Sequence, residues 1–136
     1  NYLHTSGNGR FLFPREWGRE QFFATVSRGR VEGTGNTDLV VAKARRQWSD
    51  RFSTEVAVSR AMLPAANDYA NNKYGSTSYW GWVTDLNYSP SHPKLEGLSF
   101  RLLYIGRVSP QTDIPLKDMY YNTNFHNINF VTQITF

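Results

Sequence analysis

The sequence predicts an all-β protein, namely an antiparallel β-sheet that crosses a membrane as a transmembrane β-barrel. Three observations predict this class. Six stretches alternate between apolar and polar residues, each is about as long as a tilted membrane strand, and short connections alternate with long ones. With 136 residues the chain has the length of one domain, and we interpret residues 1–136 as the C-terminal portion of a single barrel domain.

The six predicted strands show a period of two residues. Val56 and Val58 alternate with Glu55, and Phe130 alternates with Asn129. Because successive side chains of a strand point to opposite faces, this pattern predicts a sheet with one apolar and one polar face. The six stretches lie at about 21–30, 38–48, 52–62, 79–89, 98–108 and 126–136.

The connections between these strands differ in length at the two ends of the sheet. The turns at 49–50 and 90–97 are short, whereas the loops at 63–78 and 109–125 are long and rich in Asn, Pro, Ser and Tyr. Short periplasmic turns and long extracellular loops are typical of transmembrane β-barrels. We therefore expect the two long loops on the outer side of the membrane.

Aromatic residues are expected to form a girdle at each membrane interface. The predicted periplasmic girdle contains Phe22, Trp48, Phe52, Tyr88, Phe100 and Phe136. The predicted outer girdle contains Trp80 and Trp82, together with the loop residues Tyr69, Tyr74, Tyr120 and Tyr121. Aromatic residues on alternating strands also fit a soluble β-sandwich, which would bind carbohydrate or protein through Tyr and Trp.

Composition and motifs argue against several other functions. The net charge of +4 is scattered along the chain, which does not favour a nucleic-acid partner. The chain has no cysteine, and His4, His92 and His126 lack the spacing of a metal site. No nucleophile elbow, zinc-protease motif or complete phosphate loop is present. We therefore expect neither enzymatic activity nor a metal or other cofactor.

Three stretches carry a resemblance to a known family. The final strand, with Ile128, Phe130 and Ile134 before a terminal Phe136, resembles the assembly signal of bacterial outer-membrane barrels. The segment "FPREWGREQFFATVSRGRVEGTGNTDLVVAKARRQWSD" is similar to a segment of OprD-type porins, and "LEGLSFRLLYIGRV" is similar to the penultimate strand of that family. The chain therefore resembles the C-terminal part of an OprD-type porin.

The resemblance implies an eighteen-stranded barrel in the bacterial outer membrane that passes small polar, carboxylate-bearing solutes by selective diffusion. Six strands are fewer than the eight of the smallest single-chain barrels, so we expect further strands to complete the barrel. The expected partners are the lipid bilayer, lipopolysaccharide, small anionic or zwitterionic solutes, and the barrel assembly machinery, which would bind the strand ending at Phe136. A barrel that serves as a scaffold for partner proteins is the alternative within this class.

The polar parity of the strands predicts the residues that line the channel. Four cations and two carboxylates on the wall of a narrow passage would attract anions, because its low-dielectric surroundings focus the field of the lining. Alternatively, these side chains only keep a water-filled lumen hydrated. The predicted pore-lining residues are Lys43, Arg45, Glu55, Asp85, Arg101, Arg107, Asn129 and Gln133.

Overall fold

The computed structural model describes residues 1–10, 33–111 and 124–135, which form one antiparallel sheet with the strand order β1-β2-β3-β4-β5-β6. The described part contains no α-helix, and a short 3-10 helix lies at Pro93–Leu95. Within these ranges the sheet is open, since β1 pairs only with β2 and β6 pairs only with β5. The strands are β1 Tyr2–Thr5, β2 Thr37–Ser49, β3 Phe52–Met62, β4 Tyr79–Tyr88, β5 Leu98–Val108 and β6 Phe125–Ile134.

The prediction of an all-β antiparallel sheet is confirmed. The ends of β2 to β6 differ from the predicted strands by at most two residues. The predicted strand at 21–30 and the terminal Phe136 lie outside the described residues. Strand β1 was not predicted, because four residues are too few to show a clear period of two.

The register assigns the strand residues to two faces, with one β-bulge between Gln47 and Ser49 at the end of β2. Glu55 pairs with Arg45 on one side and with Asp85 on the other, and Asp85 pairs with Leu103. Because paired residues project to the same side of a sheet, the odd-numbered residues share one face and the even-numbered residues share the other. We call these the odd face and the even face. All the predicted pore-lining residues lie on the odd face.

The odd face is divided into an apolar half and a polar half. The half near the long loops is a buried apolar cluster, whereas the half near the short turns carries the charged residues. The predicted polar lining is therefore found only along part of the strands. The buried cluster contains Leu39, Val41, Ala57, Ala61, Tyr79, Val83 and Ile105.

The even face is apolar and exposed. Ile128 and Phe130 on β6 have exposed fractions of 71% and 66%. Large exposed apolar patches on proteins mark contact with another protein or with lipid. The other exposed aliphatic or aromatic residues on this face include Val40, Val56, Val58, Trp80, Leu102, Val108 and Ile134.

The long loop between β3 and β4 is organised by the fully buried Asn72. Its Nδ2 donates to the carbonyl oxygens of Pro64 at 3.0 Å and of Ser76 at 2.8 Å, and its Oδ1 accepts from the Ser76 amide at 3.0 Å. The Lys73 amide donates to the carbonyl oxygen of Gly33 at 2.9 Å, which joins the loop to the segment before β2. Backbone groups inside the loop thus find partners without a regular ladder.

A glycine on β5 makes room for a tryptophan on the even face. Gly106 pairs with Trp82, and a Cβ atom at Gly106 would overlap the indole ring. The ring therefore lies over the glycine, and it reaches His126 on the next strand with a centroid distance of 5.8 Å. A glycine in a strand commonly marks such a close approach.

We predict that Gly106→Ala lowers the free energy of unfolding by about 1–3 kcal/mol, because the added methyl group displaces the indole of Trp82. Urea-induced unfolding followed by tryptophan fluorescence measures the change. Gly7→Ala is the control, since a Cβ atom at Gly7 would make only ordinary contact with Asn36, at 3.6 Å. Equal effects of the two substitutions would contradict the prediction.

Candidate functional site

Charged and polar side chains from four strands meet on the polar half of the odd face. Two neighbouring rows of the register supply them: Arg45, Glu55 and Asp85 form one row, and Asn87 and Arg101 belong to the next. They line a recess of about 380 Å³, to which Ser53 and Thr54 also contribute. We call this recess the polar recess.

The strongest ion pair of the recess joins β4 to β5. Arg101 binds Asp85 through both ends of its guanidinium, with Nη2–Oδ2 at 2.6 Å and Nε–Oδ1 at 2.9 Å. Asn87 Nδ2 also donates to Asp85 Oδ1, at 3.1 Å. The Asp85 side chain is only 14% exposed, against 48% for Arg101. The carboxylate is therefore held by donors on two sides, and such bidentate pairs are geometrically specific.

A second, weaker ion pair joins β2 to β3. Lys43 Nζ lies 3.4 Å from Glu55 Oε1, and both side chains are partly exposed. Arg45 is the direct register partner of Glu55, yet its exposed side chain makes no hydrogen bond or ion pair within the described ranges. Three cations thus face two carboxylates, and the charge left over is positive and belongs to Arg45.

The remaining predicted pore-lining residues lie outside this cluster. Arg107 belongs to the apolar half, where its guanidinium lies 4.7 Å from the ring centre of Tyr79 and 4.9 Å from that of Phe125. Asn129 and Gln133 share the odd face on β6, opposite Leu103 and Ser99. Five of the eight predicted residues are therefore brought together, and Arg107 is not among them.

Ser53 and Asn87 line the recess but were not among the predicted site residues. The position of the tight turn after Ser49 was not sufficient to find Ser53. A β-bulge between Gln47 and Ser49 shifts the register next to the turn, so that Gln47 pairs with Ser53 and Arg45 with Glu55. Asn87 has the parity of Asp85 and lies two residues beyond it, so its parity was sufficient to include it.

The predicted girdle residues occupy the two ends of the even face. Phe52, Tyr88 and Phe100 form one row at the short-turn end, and Trp48 lies beside it with its Nε1 donating to Thr54 Oγ1 at 2.9 Å. Trp80 and Trp82 lie towards the long-loop end. The predicted girdle residues Phe22 and Phe136, with Tyr120 and Tyr121, fall outside the described residues.

The aliphatic residues of the even face, which we call the aliphatic band, shift along the strands between β2 and β6. The band begins at Val40 on β2, in the row of Arg60, but on β6 it begins at Ile128, whose row reaches β3 at Val56. On β5, Val108 lies in the row of Val40 and does not follow this shift. The first aliphatic residue is thus displaced by four residues between β2 and β6.

The other edge of the band shifts in the same direction. On β2 the last aliphatic residue is Ala44, which lies in the row of Val56. On β6 the last aliphatic residue is Ile134, which lies two residues past the row of Phe52. This displacement is six residues. With a rise of about 3.4 Å per residue and a strand spacing of about 4.8 Å, the band is inclined by about 40° to the rows.

Histidines in the described part take part in local contacts rather than in a metal cluster. His4 Nδ1 lies 2.9 Å from Asp38 Oδ1, His126 Nδ1 lies 2.9 Å from the Tyr104 hydroxyl, and His92 Nδ1 accepts from the Lys94 amide. Within residues 1–10, 33–111 and 124–135, no group of three potential metal ligands is found. The same residues include no helix with the length and apolar character needed to span a membrane.

Comparison with known proteins found no match for this chain among protein-family models, curated proteins or solved structures.

We predict that Asp85 and Arg101 couple by about 1 kcal/mol in a double-mutant cycle, because their contact is bidentate and Asp85 is largely shielded from water. The cycle combines Asp85→Asn with Arg101→Gln and is measured by urea-induced unfolding. Lys43 and Glu55, at 3.4 Å and more exposed, serve as the comparison pair and should couple by about 0.5 kcal/mol or less. Stronger coupling of Lys43 with Glu55 would contradict this ranking.

Proposed function

We propose that this chain is part of an outer-membrane porin, with the even face against lipid and the odd face towards an aqueous passage for small polar solutes. The exposed apolar even face, opposite the charged residues of the odd face, is the observation that carries the proposal. Strands of transmembrane β-barrels tilt by about 35–45°, so a lipid-facing band must cross the hydrogen-bonded rows at that angle. The inclination of about 40° has the expected size.

The open edges of the sheet support a barrel with additional strands. In hydrocarbon, every unpaired backbone N–H and C=O group costs several kcal/mol, so an open sheet is not stable there. Closure into a barrel removes both edges. The first described strand, β1, and the last, β6, would then pair with strands beyond this sheet. The C-terminal segment, which comprises β6 and the residues up to Phe136, is the one we propose for recognition by the barrel assembly machinery.

The polar recess supports passage of small anionic or zwitterionic solutes. Lys43 and Arg101 are paired with carboxylates, which leaves Arg45 as the exposed cation available to a passing carboxylate. Guanidinium groups bind carboxylates through paired hydrogen bonds, and a wall of dispersed weak sites allows a solute to leave again. After Lys43 and Arg101 are paired with carboxylates, the polar recess keeps an excess of one positive charge. This small excess favours modest rather than strong anion selectivity.

A soluble β-sandwich is the second candidate, and the buried apolar half of the odd face favours it. In that fold one face of the sheet packs on a second sheet and the other face meets water. The odd face would then form the core, and the even face would be in water with residues as apolar and exposed as Ile128 and Phe130. This exposure makes the sandwich the weaker candidate.

The two candidates predict opposite results for Val56→Arg. Val56 lies within the aliphatic band and is 48% exposed, so an arginine there would enter lipid in a barrel and water in a sandwich. We expect a loss of about 2–4 kcal/mol in the free energy of folding into bilayers. The control is Glu55→Leu, one residue away on the odd face. Unchanged folding of Val56→Arg combined with failure of Glu55→Leu would mean that the faces are inverted.

The channel should prefer anions to cations in planar bilayers under a salt gradient. Replacement of Lys43, Arg45, Arg101 and Arg107 together by Gln should shift the reversal potential towards cations, because it leaves Glu55 and Asp85 as the charges of the odd face. Arg51→Gln, in the tight turn between β2 and β3, is the control for loss of a distant positive charge. An unchanged reversal potential in the fourfold variant would place selectivity elsewhere in the barrel.

A further inference from the structure

Two arginines lie on the even face, which is mostly apolar. Among β1 to β6, Arg46 and Arg60 are the only lysine or arginine residues of that face. A cation within hydrocarbon is costly, so its position on such a face requires an explanation. Arg46 follows Ala44 towards the short turns, and Arg60 lies between Val58 and Met62, near the long loops.

Each of these arginines lies against a tryptophan. The Arg46 guanidinium carbon is 4.0 Å from the ring centre of Trp48, and that of Arg60 is 5.2 Å from the ring centre of Trp80, its direct partner across β3 and β4. Tryptophan prefers the interface between hydrocarbon and headgroups, and the cation–π contact orients the guanidinium beside the ring. The two arginine–tryptophan pairs thus lie towards opposite ends of the even face.

Neither arginine has an anionic partner in the described part of the protein. Arg46 is exposed and makes no ion pair within the described residues, and Nη1 of Arg60 is covered without a hydrogen-bond acceptor. Asp38 is the only carboxylate among the even-face strand residues, and it is occupied by the Tyr2 hydroxyl at 2.5 Å and by His4. A charged donor without an acceptor is unfavourable, so an acceptor from outside the sheet would stabilise both sites.

The distance between the two sites suits the two interfaces of a bilayer. Arg46 lies in the row of Thr54, and Thr54 is six residues from Arg60 on β3. The two rows are therefore about 20 Å apart along the strand. Long arginine side chains extend the charge away from hydrocarbon by several more ångströms, towards the roughly 25 Å of a barrel's apolar band. One guanidinium therefore reaches each interface.

We propose that Arg46 and Arg60 bind the phosphate groups of lipid headgroups, one in each leaflet, and thereby fix the depth and tilt of the sheet. Phosphate matches the planar fork of a guanidinium, which donates two parallel hydrogen bonds to it. This inference rests on the proposed membrane location, and it adds the chemistry of the lipid contact and the residues that make it.

The test measures the lipids retained by the protein after folding into vesicles. The complete barrel that contains this sheet is folded into vesicles of phosphatidylcholine with phosphatidylglycerol, floated on a density gradient, and analysed by native mass spectrometry. It is compared as wild type, Arg46→Gln, Arg60→Gln and the control Arg45→Gln. Arg45→Gln removes the same charge one residue away, but from the odd face. Arg46→Lys and Arg60→Lys keep the charge and the fold while losing the bidentate geometry.

We expect each Gln variant to retain roughly tenfold less phospholipid at its site, the Lys variants to be intermediate, and Arg45→Gln to match the wild type. Excess inorganic phosphate should not displace the lipid, whereas it would displace a ligand from a site for free phosphate. Equal retention by the wild type and both Gln variants would overturn this inference alone. Failure of the wild type to float with vesicles would overturn the proposed membrane location and this inference with it.

Discussion

The register of the antiparallel ladder is the constraint on which the rest of the structure depends. Side chains alternate with a period of two, so a slip of one residue would move the odd-face charges of the shifted strand to the even face. The β-bulge between Gln47 and Ser49, next to the tight turn, places Arg45 opposite Glu55, and the row of Arg45, Glu55 and Asp85 continues that register to β4. Both the polar recess and the apolar band follow from it.

The charges of the polar recess show how the sheet holds ions beside an apolar core. Asp85 is largely shielded, and a shielded carboxylate without partners would lose its hydration at a high cost. Arg101 and Asn87 replace that hydration with three donors across two strands. Arg45 is exposed and needs no such partner. Arg101 thus belongs to a structural ion pair, whereas Arg45 is a cation that can exchange ligands. The two arginines have the same parity in the sequence, which does not distinguish these roles.

The alternating pattern was sufficient to predict five strands and the shared face of the eight residues of the predicted pore lining, because period two is a local property of the chain. It was not sufficient for features that depend on contacts between distant segments. Strand β1 is recognisable only through its pairing with Thr37 to Val40, and the buried role of Asn72 depends on carbonyl groups across its own loop. Arg107 has the parity of Arg101, but aromatic rings at its end of the sheet determine its contacts. The parity of a residue predicts its face of the sheet, but it does not predict which side chains the residue contacts.

The aliphatic band and the rows of the sheet have different physical causes, so the angle between them is informative. Backbone hydrogen bonds define the rows, whereas side-chain hydrophobicity defines the band, and nothing in the ladder obliges the two to differ by a particular angle. A band parallel to the rows would fit strands perpendicular to a bilayer. The displacement between β2 and β6 instead fits tilted strands, and Arg46 and Arg60 lie towards opposite ends of the even face. The positions of aliphatic residues, tryptophans and arginines thus point to the same membrane plane, which neither the sheet topology nor the composition alone defines.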